Sequence, residues 1–68
     1  MKILDVVATL QDLPEQRLAK GQVGTVVEAL DSDHVLVEFA DLSGVAYALS
    51  PIQVGQLIEL KHTPAIAA

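Results

Sequence analysis

Apolar residues along this chain fall in short runs, and none of the runs carries a sustained 3.6-residue period between helix caps. Turn-forming residues interrupt them at roughly ten-residue intervals, the pattern of a small sandwich or barrel. The first run, ILDVVATL from Ile3 to Leu10, predicts a strand. Its alternation puts Val6, Ala8 and Leu10 on one face and Asp5, Val7 and Thr9 on the other. Gln11 to Lys20 contains Pro14 and a polar cluster, which predicts a loop with one helical turn from Pro14 to Leu18. Leu13 and Leu18 are its expected anchors on the core. Thr25 to Leu30 is β-prone, and Asp31 to His34 is a polar connection of hairpin length. A third strand follows, with Val35, Val37 and Phe39 opposite Leu36, Glu38 and Ala40. Asp41 to Gly44 predicts a second hairpin turn with Gly44 in a left-handed position. Val45 to Ser50 predicts a fourth strand, Pro51 to Gln56 a tight 3₁₀ turn, and Leu57 to Leu60 a fifth strand.

This order of elements predicts an all-β fold, a small SH3-like five-stranded barrel with a short helical turn before the last strand. An OB-like barrel is the alternative, but it needs a helix between its third and fourth strands, and no segment here reads as one. Residues 1–61 form the expected single domain. Residues 62–68 form a C-terminal tail in which Pro64 should stop strand pairing. That tail is expected to be disordered or to dock through Ile66 on a neighbour.

A barrel has one inside, yet the alternation leaves Val7, Val27, Leu36, Ala46 and Ile58 on outer faces, unless a bulge at Gly24 flips one of them. Tyr47 is the one aromatic side chain suited to anchoring a partner; the competing reading places it at the rim of the core. These six residues are the candidate interface, because contiguous exposed apolar surface marks interaction sites. Chain length points the same way. A core drawn from 68 residues is marginal, and without cysteine no disulfide can support it. A homo-oligomer is therefore expected, most simply a symmetric dimer or a multiple of one. A monomer with scattered surface apolar residues is the alternative.

Composition narrows the function classes. Net charge is −5, and the four basic residues, Lys2, Arg17, Lys20 and Lys61, are scattered, so a phosphate backbone is repelled on average. One Tyr and one Phe cannot build a stacking platform for single strands. No apolar run is long enough to span a membrane and no secretory signal is visible, so a cytoplasmic protein is expected. His34 and His62 are far apart, and no metal-ligand spacing surrounds either. Asp31, Asp33 and His34 read as a solvated turn rather than an acid–base cluster. Asp5, Asp12 and Glu15 offer an acidic patch, although Asp12 is better read as bonding loop amides. No serine sits in a nucleophile elbow and KGQVGT lacks the ending of a phosphate loop, so no enzyme and no cofactor are expected.

Two resemblances add to this reading. In KGQVGTVVEAL, Gly21, Gly24 and Val26 resemble the KOW motif of ribosomal and transcription-factor barrels. The basic flank of that motif is missing except for Lys20, and Glu28 stands where a basic stripe would be useful. A bend in the backbone explains the two glycines better than contact with nucleic acid. More broadly, ILDVVATLQDLP, GQVGTVVEAL, VEFAD…G…YAL and QLIEL resemble, in order and over about residues 3 to 60, the short and mostly bacterial proteins of domain of unknown function 4926. That resemblance implies a small barrel and brings no enzymatic activity or site. The expected function is a self-associating protein-interaction module without catalytic activity. A KOW-like nucleic-acid-binding barrel, or an accessory or small-ligand-binding subunit of a larger enzyme, is the alternative.

Overall fold

The computed structural model describes residues 1–61. Five strands, β1 (Val6–Thr9), β2 (Val23–Ala29), β3 (His34–Ala40), β4 (Ala46–Gln53) and β5 (Leu57–Leu60), are joined by short turns, with 3₁₀ turns at Pro14–Gln16 and Val54–Gln56. They form one antiparallel sheet in the order β4-β3-β2-β1-β5. The chain is all-β, as expected. Among the described residues no ladder joins β4 to β5, so hydrogen bonds do not close the barrel. The expected tail at residues 62–68 lies outside the described residues.

The register explains the core. Val7 lies opposite Gly24, Gly24 opposite Phe39, and Phe39 opposite Ala48; the next row runs Val26, Val37 and Ser50. Val7, Val26, Val37 and Phe39 are fully buried, and Val35, Ile52 and Leu57 join them. Leu13 and Leu18 close one side of this cluster as expected, held by hydrogen bonds in both directions between their backbones. Gly24 is where the inner face needs a residue without Cβ. An added methyl would lie 2.6 Å from Val37 Cγ1 and 2.9 Å from both Glu38 O and Phe39 Cδ1. Phe39 and Val37 therefore occupy the space above Gly24, which is how a small sheet curls around one large ring.

The structure corrects the first strand. It begins at Val6 rather than Ile3, because Lys2 to Asp5 make a turn: the Asp5 N–H donates to Lys2 O and the Lys2 N–H to Asp5 Oδ2. Leu4 takes a left-handed φ of 76° in that turn. Its inner face is the one expected to be outer. Val7 is 0% exposed, so it is a core residue and no part of an interface, whereas Leu10 is exposed. Alternation alone cannot say which face is inner when apolar residues stand on both, and here the pairing of Val7 with Gly24 and Phe39 decides it.

Other boundaries move as well. Pro51 lies inside β4, which runs to Gln53, and the 3₁₀ turn is confined to Val54–Gln56. β2 does carry a bulge, between Val26 and Glu28 and not at Gly24, so Val27 is the extra residue; a second irregularity faces Tyr47 between Phe39 and Ala40. Gly44 takes the expected left-handed conformation, with φ 86°.

Candidate functional site

Two regions merit a functional reading: the loop between β1 and β2, and the outer face of the sheet. Polar contacts order the loop. Thr9, almost wholly buried, donates from Oγ1 to Ala19 O at 2.6 Å and accepts from Gln22 N at 3.0 Å. The Gln22 side chain accepts from Ala19 N through Oε1 and donates through Nε2 to the Tyr47 hydroxyl at 2.7 Å. Asp12 Oδ1 accepts from Lys20 N at 2.8 Å, the loop-amide role expected of it. Gln16 Nε2 donates to Pro51 O at 2.7 Å and ties the 3₁₀ turn to β4. Gln11 to Gln16 and Gln56 line an open groove of about 360 Å³. Asp12 and Glu15 line this groove, and Asp5 is not among its lining residues.

The hairpin tips are built on aspartates. Asp31 Oδ1 accepts from the backbones of Asp33 (2.7 Å) and His34 (2.8 Å), and lies 3.0 Å from His34 Nδ1. Asp41 Oδ1 accepts from Ser43 N, Ser43 Oγ and Val45 N. Both carboxyls are held below the ordinary value of 3.8: Asp31 mainly by the Asp33 amide and then by the His34 side chain, Asp41 mainly by the Ser43 hydroxyl and then by the Val45 amide. These are turns that consume their own carboxylates. Among the described residues no group of three or more His, Asp and Glu could hold a metal ion.

The outer face carries the surplus of apolar surface. The register lays out two rows there, Ile58–Ala8–Val23 and Leu60–Val6–Thr25–Glu38–Leu49, with Glu28, Leu36 and Pro51 forming a third. Ile58, Val23, Leu60 and Leu49 are exposed, and Val6 and Leu36 half-buried. Of the six residues expected at an interface, Ile58 and Leu36 stand in these rows. Val27 is exposed at the bulge, and Ala46 is exposed at the start of β4. Tyr47 is half-exposed at the rim of the core, its ring centroid 6.4 Å from that of Phe39. Val7 is excluded. Sequence reasoning missed Val23 and Leu60: β2 begins at Val23 and not at Thr25, and Leu60 shares the outer face of β5 with Ile58.

Residues 3–59 match the profile of the family described as Domain of unknown function (DUF4926). The chain belongs to the DUF4926 family. No curated protein and no solved structure matches this DUF4926 chain. Among its described residues no helix is long and apolar enough to cross a membrane. The two glycines that resemble a KOW motif both have structural work in the DUF4926 fold. Gly24 admits Phe39 and Val37, and Gly21 turns the chain into β2 at φ 82° while its N–H donates to Thr9 O.

Proposed function

We propose that this chain is a small cytoplasmic protein-interaction module that self-associates and carries no chemistry of its own. One observation carries the reading: over β5, β1 and the start of β2 the sheet is apolar on its outer face as well as its inner one, and only the inner face is consumed by the core. Antiparallel sheets that face water normally alternate apolar with polar residues, and an apolar second face calls for a second layer. The acidic charge and the structural duties of Gly21 and Gly24 favour a protein over a nucleic acid as the covering layer. The polar side chains are used locally, in turn caps and loop ties, which leaves little from which to build a preorganised catalytic site.

The test is sedimentation equilibrium over a concentration series from about 10 μM to about 2 mM, the range in which a weak association of −4 to −7 kcal/mol appears. The expected average mass rises above the 7.2 kDa of one chain. A mass fixed at one chain throughout would remove self-association.

A further inference from the structure

We propose, resting on the reading just given, that a second copy of this chain docks face to face on the outer surface of β5, β1 and β2, centred on the row Ile58–Ala8–Val23. The shape of that row is the first argument. Ala8 is 8% exposed and stands outside the core cluster, while its cross-strand neighbours Ile58 and Val23 are 49% and 50% exposed. A small residue between two larger ones makes a trough between ridges. A two-fold axis lets the ridge of one copy enter the trough of the other, the self-complementary arrangement of a symmetric dimer.

Charge is the second argument. Each copy carries −5, so contact between two copies is favoured where neither presents a carboxylate. Val6, Ala8, Leu10, Val23, Ile58 and Leu60 include no ionisable group. The nearest outer-face acids in the register are Glu38, one strand beyond Thr25, and Glu28, farther along β2; both flank the row Ile58–Ala8–Val23 and neither stands in it. A second exposed apolar group, Leu42, Val45 and Leu49 on the β3–β4 hairpin, is less suited: Leu49 lies directly opposite Glu38, and a two-fold contact there would bring the two carboxylates together.

Sheet extension is the competing route, and both edges resist it. Pro51 leaves β4 without one donor, and β5 is four residues long with the Leu57 N–H already given to Val54 O. The face is therefore the better contact. The exposed side chains of the patch are few and partly covered, so the contact falls short of the ~800 Å² per partner of a standard interface and the dimer is weak and reversible.

The test uses the whole chain. Amide NMR spectra are recorded from about 50 μM to about 2 mM beside the sedimentation series, concentrations that bracket a weak dimer. Concentration-dependent shifts are expected at Val6 to Ala8, Val23 and Ile58 to Leu60. Ile58→Lys, at a half-exposed site that keeps the fold and therefore the spectral dispersion, should weaken association at least about tenfold, a typical cost for a charge buried in an apolar contact. Leu49→Lys should leave association unchanged. If the wild-type mass rises but Ile58→Lys rises equally, or the shifts centre on Leu42 to Leu49, this surface is wrong while self-association stands. If the wild-type mass never rises, both fail together.

Discussion

Gly24 is the position at which one methyl group should do most damage. Gly24→Ala places a Cβ 2.6 Å from Val37 Cγ1, 2.9 Å from Phe39 Cδ1 and 2.9 Å from Glu38 O. Val37 and Phe39 are fully buried, so neither side chain has free space to swing into. Glu38 O belongs to the β2–β3 ladder and cannot retreat without disturbing the pairs on either side. Overpacking a tight core typically costs about 1–3 kcal/mol, and three simultaneous clashes put this case near the upper end, about 2–3 kcal/mol. A domain this small holds only about 3–5 kcal/mol in total, so the substitution removes about half of it. The melting temperature should fall by roughly 10–20 °C, at about 4–8 °C per kcal/mol for this size. Gly55→Ala is the matched control, because a Cβ there meets nothing within 4 Å. Thermal unfolding followed by far-ultraviolet circular dichroism reads both variants. A Gly24→Ala protein melting within a few degrees of Gly55→Ala would show that Phe39 and Val37 do not pack over Gly24.

Three further expectations follow from individual contacts. Thr9→Val keeps the volume but strands the Gln22 amide and the Ala19 carbonyl, and should cost about 1–2 kcal/mol, read by urea denaturation with an unchanged m value. Leu4→Gly should raise the urea midpoint, worth about 0.5–1 kcal/mol, because glycine adopts the φ of 76° without strain and the leucine side chain is already exposed. Asp31 and Asp41 have carboxyls held below 3.8 in the folded state, so their contribution is fully present above that value and is lost as pH falls through the lower folded values. The melting temperature should therefore decline on acidification below about pH 4, and Asp41→Asn should flatten that decline; a slope identical to wild type would exclude Asp41 as a contributor.

Much of the fold was legible because its turns use residues with one structural purpose. Pro14, Gly44 and the aspartates of both hairpins mark their loops unambiguously, and the third strand shows its inner face because Glu38 stands on the other side of Val37 and Phe39. The first strand hid its inner face because Val6, Val7 and Ala8 are all apolar. Only the pairing of Val7 with Gly24 resolves them, and pairing is long-range information. Pro51 read as the start of a turn because proline usually leaves a sheet; at an edge strand its missing donor costs nothing, so β4 continues through it. The surplus of outer apolar surface was legible as an amount but not as a place. Val7 counts as outer when the inner face of β1 is reversed, and Val23 escapes notice when β2 is started at Thr25.

The most direct measurement is an isotope-filtered nuclear Overhauser experiment on an equal mixture of labelled and unlabelled chain at about 2 mM, where a weak dimer is populated. Cross-peaks between copies should join the methyl groups of Ile58 to those of Ala8 and Val23. Cross-peaks confined to Leu42, Val45 and Leu49, or an intermolecular spectrum empty at this concentration, would contradict it.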